Sequence, residues 1–207
     1  MLTHDSIAYN KPLLNGVRHN AIRGGRHLWL QNSWSGTANA STSVLSDDDG
    51  IVATNLFANP SPISTGLFLN TYSAATRLTD TDAGLVITSD GTGKGGVRLA
   101  VSNPGAGGWH LHAELTFSGD QSATGDAVWF SLTDQTWKYS DISSGSLTID
   151  LDGTKVNLGA PNQLVVTCAA STSVSTTVSH VGLYTATDWS AMQAKNITWF
   201  DGEKYVK

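Results

Sequence analysis

Between Trp109 and Phe117 the chain reads WHLHAELTF. Trp109, Leu111, Ala113, Leu115 and Phe117 are apolar, while His110, His112, Glu114 and Thr116 are polar. A helix would scatter such strictly alternating residues around its circumference, whereas a strand sorts them onto two faces. The stretch therefore predicts a strand with one core face and one open polar face. Shorter versions recur at GLVIT (84–88), VRLAV (97–101), AVWFSL (127–132), SLTIDL (146–151), QLVVTC (163–168) and HVGLYT (180–185). The segments between them, SDGTGKGG, SNPGAGG, SGDQSATGD and DGTK, are dense in turn-forming residues. No long helical period interrupts this series. Short strands at such spacing predict an all-β fold, an antiparallel jelly roll or β-sandwich.

With 207 residues the chain can form one large domain, or one domain and an arm, burying roughly 70% of its unfolded surface. The single Cys168 excludes an internal disulfide framework, and its apolar setting, QLVVTCAAS, reads as a buried small hydrophobe. MLTHDSIAYNKPLLNG has no apolar run behind basic residues, and no segment approaches a membrane helix. The expectation is a soluble chain made in a cytoplasm without membrane insertion, with the N-x-[ST] matches at Asn39 and Asn196 arising by chance. The net charge is −5. Before Asp47, Lys11, Arg18, Arg23 and Arg26 face only Asp5, whereas residues 51–207 carry eight basic and thirteen acidic side chains. That balance argues against a nucleic-acid partner.

Residues 1–50 lack sustained periodicity beyond a short strand signal at His27–Gln31. They read as an extended, strand-bearing N-terminal arm, followed by a jelly-roll domain over 51–207. Trp29 and Trp34 are large rings in a polar segment, so both need somewhere to pack. With Arg18, Arg23 and Arg26 as ion-pair donors, they are the candidate anchors of the arm on a partner. At the other end, Asp188 is the expected N-cap of a short helix over Trp189–Ala194, and Asn196 its left-handed closing residue. Ile197–Phe200 then returns as a strand, with Trp189 and Trp199 covering one end of the sandwich.

Two of these segments resemble known families. TNLFANPSP (54–62) resembles the N-L-x-x-N-P start of jelly rolls of the carbohydrate-binding type, although SPIST follows where that start continues to an aromatic and a Glu. VGLYTATDWSAMQAKNITWFDGE (181–203) resembles the closing segment of similar jelly rolls in minor tail proteins of actinobacterial phages. The resemblance implies a virion component assembled with other virion proteins and with copies of itself. It makes host cell-wall glycan a second partner, but transfers no individual binding residue.

His110, His112 and Glu114 share one strand face about 7 Å apart, which makes them weak candidates for a metal site. They resemble the His-x-His strand of cupins, with His180 as a further ligand, but a polar face or a subunit interface is the better reading. GTGKGG (91–96) lacks the Ser or Thr and the helix of a phosphate loop and reads as a hairpin turn. The carboxylates of LTDTDAG (78–84) and SDDDG (46–50) do not follow EF-hand spacing and read as turns. No Gly-x-Ser-x-Gly elbow or recognisable carboxylate pair is present, so no catalytic residue or cofactor is expected. For sugar binding the best platform is Trp137 and Tyr139, of like parity beyond the strand 127–132 and close to Asp134, Gln135 and Asp141. Trp109 and Trp129 read as core.

The sequence therefore favours a phage virion structural protein, a minor tail protein forming a symmetric oligomer and touching host glycan. The alternatives are a carbohydrate-binding module without a virion role, a capsid decoration protein, or a cupin-like or glycan-hydrolysing enzyme.

Overall fold

The computed structural model describes residues 13–14, 17–24, 26–34, 41–47, 50–57, 59–66, 69–105, 107–121, 125, 127–131, 137–139, 144–154, 163–201 and 205–206. Every strand pairing among them is antiparallel. The first five strands, β1 (Leu13–Leu14), β2 (Val17–Gly24), β3 (Arg26–Trp34), β4 (Ser41–Asp47) and β5 (Gly50–Asn55), form one sheet in chain order. The extended lead-in is thus a meander, and residue 50 is the first residue of its last strand, paired with Asp47.

The sandwich uses the next ten strands. One sheet has the order β13 (Gly145–Gly153), β10 (Trp109–Ser118), β15 (Ser175–Thr185), β8 (Gly84–Ser89), β7 (Thr76–Thr81). The other has the order β12 (Trp137–Tyr139), β11 (Val128–Ser131), β14 (Gln163–Cys168), β9 (Gly95–Ala100), β6 (Leu69–Thr71). The chain passes repeatedly from one sheet to the other, the jelly-roll manner of closing a sandwich.

The alternation in β10 works as its sequence implies. Leu111, Ala113, Leu115 and Phe117 point inward with Leu85, Ile87, Val97, Leu99, Val128, Phe130, Leu164 and Val166, all at most 2% exposed. Burying each large aliphatic side chain contributes about 1.5–3 kcal/mol. Trp109 closes one end of this core, its ring edge-on to Phe130 at 5.3 Å. The indole lies over Gly153, where a Cβ would collide with it. Cys168 is fully buried, and burial pushes its thiol up to about 11.

The GTGKGG segment departs from the expected hairpin. β8 and β9 belong to different sheets, so these glycines carry the chain across the sandwich. A Cβ on Gly95 would meet the Thr88 carbonyl and the Cys168 thiol, which explains the need for glycine there. LTDTDAG also departs from a simple turn, because its first part is β7. Both Asp80 carboxylate oxygens are engaged there by the backbone and hydroxyl of Ser64.

The C-terminal segment adds helix α1 (Ala186–Gln193) and the strand pair β16 (Trp199–Phe200) and β17 (Tyr205–Val206). Thr185, rather than the expected Asp188, is the N-cap: its hydroxyl accepts the Asp188 N–H at 3.1 Å. β15 runs up to Thr185, so the chain turns into the helix directly and Asp188 falls within its first turn. Asn196 has φ 56°, as the sequence suggests. With it, the Ile197 N–H reaches the Met192 carbonyl and the Asn196 N–H reaches that of Gln193, satisfying the helix end.

Candidate functional site

The outer face of β10 is polar as predicted, but at one end it is not open. His110 is 4% exposed and His112 3%. The cover is α1, whose Trp189 indole lies parallel to the His110 ring with centroids 3.7 Å apart. Beside it, the Trp199 ring, itself fully buried, tilts over His180 at 3.9 Å. The local pattern could show which residues face outward. It could not show that a segment some eighty positions later returns to cover them.

Beneath that cover, strand register assembles a ladder of carboxylates and imidazoles. β10 places His110 opposite Asp152 and His112 opposite Asp150 of β13, and Glu114 opposite His180 of β15. The His110 Nδ1 is 2.8 Å from Asp152 Oδ1, and its Nε2 is 3.3 Å from Asp150 Oδ1. His112 repeats the pattern, with Nδ1 2.8 Å from Asp150 Oδ1 and Nε2 3.3 Å from Glu114 Oε1. His180 Nδ1 is 2.8 Å from Glu114 Oε2. Burial alone would raise the Asp150 carboxyl, but hydrogen bonds and charge from His112, then His110, hold it below the usual carboxylate value. The carboxylates form the rim, the Asp152 side chain being 84% exposed, and the imidazoles form the floor.

This geometry redefines the metal candidates. His110, His112 and Glu114 do share one face, but both ring nitrogens of His110 and of His112 are turned to carboxylates of the ladder. No cluster of three or more His, Cys, Asp or Glu among the described residues is arranged to hold a metal ion. The arrangement pins three imidazoles against fixed carboxylates.

A second core lies beside the ladder, built from Leu45, Val52, Ala53, Tyr184, Met192, Ile197 and Phe200, with Trp189 against it. It joins the first sheet to the C-terminal segment. The fully buried Asn55 side chain donates to the carbonyls of Phe200 (2.9 Å) and Val181 (3.2 Å) and accepts from the N–H groups of Phe57 and Leu183. The Asp188 carboxylate accepts the Thr54 N–H at 3.1 Å, and Lys195 pairs with Asp47 at 2.7 Å. The Tyr184 ring folds back over Gly182, whose missing side chain leaves the space it fills. Burial, with the Asp201 charge adding to it against a hydrogen bond from the Phe200 backbone, pushes the Tyr184 phenol above its ordinary range.

Of the residues singled out from the sequence, Arg18 and Arg23 lie on β2, Arg26, Trp29 and Trp34 on β3, and Trp129 on β11. Trp137 and Tyr139 lie on the edge strand β12, cross-strand partners of Phe130 and Val128. Asp134, Gln135 and Asp141 fall outside the described residues, as do Asp48 and Asp49. Sequence reasoning missed Asp150, Asp152, Asn55 and Tyr184. The signal for the first two was present: in SLTIDLDG the acids occupy alternate positions and so share the outer face of an edge strand.

No family model and no curated protein matches the chain. Among solved structures, a point mutant of a family 29 carbohydrate-binding module is similar at 12% identity and a TM-score of 0.42, covering 64% of this chain and 91% of that one. A family 29 module from Piromyces equi is similar at 12% identity and 0.39, covering 64% and 88%. A mutant module complexed with mannohexaose is similar at 13% and 0.41, covering 64% and 91%. At such scores the fold assignment rests on the strand pairings themselves.

Proposed function

We propose that this chain is a non-catalytic virion structural protein, a minor tail protein whose first strands anchor it among other virion proteins and its own copies. The observation that carries this reading is the joint between the two ends of the chain. Asp47 with Lys195, Thr54 with Asp188 and Asn55 with Phe200 tie residues 134 to 148 positions apart. The C-terminal partners belong to the segment that resembles phage tail proteins. A part that must transmit position through an assembly needs such a fixed joint rather than a linker.

The test uses the full chain and a chain lacking residues 1–40. Truncation at 40 spares β4, whose Ser43 and Leu45 are buried and whose Asp47 holds Lys195. Light scattering should give a discrete oligomer for the full chain and a folded monomer for the truncated one. A full-length monomer would remove self-assembly from the reading. Antibodies to the jelly roll should also label tails of purified particles, and unlabelled particles would end the virion assignment.

Glycan contact is the second duty proposed. It rests on the resemblance of TNLFANPSP to the start of carbohydrate-binding jelly rolls, with Trp137 and Tyr139 as the candidate rings although their cross-strand partners Phe130 and Val128 face the core. A glycan array on wild type and Trp137→Ala should show signal lost in the variant. An array without signal on wild type overturns this duty.

A further inference from the structure

We propose that β13 is a self-pairing edge, which lies antiparallel to β13 of a second copy about a two-fold axis at Ile149 and joins two five-stranded sheets into one. The inference rests on the reading above that copies of the chain assemble, and it gives them a contact and a symmetry. The edges of the two sandwich sheets are finished differently. β6 and β12 have three residues each, too short to recruit a strand. β7 is guarded: Ser64 engages its Asp80 through backbone and hydroxyl, and the charged Arg77 side chain on it is 56% exposed. β13 has nine residues, no proline, lysine or arginine, and an unbroken register with β10. Among the described residues no strand or backbone hydrogen bond meets its other side. An edge so long and regular leaves a row of N–H and C=O groups ready for another strand.

The sequence of β13 fits its own copy. Pairing about Ile149 sets Leu147 opposite the partner's Leu151, and Ile149 opposite the partner's Ile149, on the core side. Leu147 and Leu151 are only partly buried in one copy, so a paired edge covers more of each. On the outer side Thr148 meets the partner's Asp150 and Ser146 meets the partner's Asp152. Hydroxyls thus face carboxylates, and no like charges are directly opposed. Centring the pair on Asp150 instead would set the two Asp150 carboxylates against each other. A centre between two residues would bring apolar positions onto the polar face. Asp150 and Asp152 are each held at 2.8 Å by an imidazole of their own copy, which turns the acids toward their own ladder.

A strand edge alone buries less than the roughly 1,200 Å² of a stable interface. The contact therefore holds where the first strands have already brought copies together, at the raised effective concentration of a tethered pair. A chain lacking residues 1–40 stays monomeric. The two-fold axis also fixes a property of the whole assembly: every copy has a β13 partner, so the copy number is even.

The experiment oxidises the full chain carrying Ser146→Cys/Asp152→Cys and reads covalent dimer on a non-reducing gel, with light scattering of the wild type beside it. Directly opposed Cβ atoms of antiparallel strands lie within about 5.5 Å, near enough for a disulfide. Within one strand the two positions are about 20 Å apart, and in the pair each is equally far from its own counterpart. Neither single variant can therefore cross-link through this contact, and the native Cys168 is fully buried. Most of the double variant should run as dimer, the single variants should not, and the wild-type mass should be an even multiple of the chain. An oligomer without cross-link, equal cross-linking of a single variant, or an odd multiple overturns the pairing while assembly stands. A full-length monomer removes the assembly itself, and the pairing with it. Should the cysteine variant not fold, Ser146→Asp and Ser146→Lys serve. The first sets like charges opposite the partner's Asp152 and should weaken association roughly fivefold; the second should strengthen it by a similar factor. Equal effects of the two substitutions overturn the register.

Discussion

The two cores differ in how they are held. The inter-sheet core is lined by aliphatic and aromatic side chains from strands of regular alternation, and its specificity comes from shape. The second core is smaller and draws on β4, β5, β15, α1 and β16, elements separated by most of the chain. Between such elements apolar burial alone would leave their relative position loose. Asn55, Asp188 and the Asp47–Lys195 pair supply direction, because hydrogen bonds fail with misalignment while apolar contacts tolerate it. The comparison teaches that the sandwich is a packing problem and the joint is a hydrogen-bonding problem.

The largest effect should come from the first core. Leu111→Ala removes a fully buried side chain of β10 from the inter-sheet core and should cost about 3–4 kcal/mol. Urea unfolding should show one transition moved to lower denaturant, with the joint lost together with the sandwich. Asn55→Ala should cost nearly as much, about 3 kcal/mol, because two N–H groups and two carbonyls lose a buried partner. Its signature should differ: limited proteolysis should cleave within residues 13–55 under conditions where the sandwich resists. Simultaneous loss of both regions in Asn55→Ala would show that the two cores are one cooperative unit.

This difference also explains what was legible in the sequence. β8, β9, β10, β11, β13 and β14 could be read because each carries an alternation or a short apolar run and is bounded by turn residues. β7 was hidden because TRLTDT is polar on an edge strand, where little apolar burial is required. The outward face of β10 was legible as polar, yet its burial was not, since that depends on Trp189 and Trp199 arriving from the far end of the chain. Local competition misplaced the helix start: Thr185 and Asp188 are both good caps, and the end of β15 decided between them. Asn55 looked like part of a short motif, and only the fold shows it bonding three segments.

A smaller test addresses fit within the joint. Gly182→Ala places a methyl where the Tyr184 ring lies, so the ring must move away from Asn55. Such overpacking costs about 1–3 kcal/mol. Calorimetry should show the loss, and Gly182→Ala/Tyr184→Leu should recover part of it. A single substitution without effect would mean that the second core is plastic, and the contrast with the first core would have to be redrawn.

The finest test separates direction from charge. The Lys195 side chain is 25% exposed and that of Asp47 8%, so their pair sits between the surface and buried cases. Lys195→Ala should cost about 1 kcal/mol, more than an exposed pair typically contributes, because Asp47 keeps its charge in a largely dry position. Asp47→Asn/Lys195→Met removes both charges and should be milder than Lys195→Ala alone. A double-mutant cycle by urea unfolding reads the coupling, and raising the salt should change it little, since screening is weak for a partly buried pair. A coupling near zero would shift the weight of direction in the joint onto Asn55, Asp188 and the backbone bond from Leu56 N–H to the Leu183 carbonyl. Asn55→Ala should then loosen the first sheet more than loss of the ion pair does, and the proteolysis pattern of that variant measures this directly.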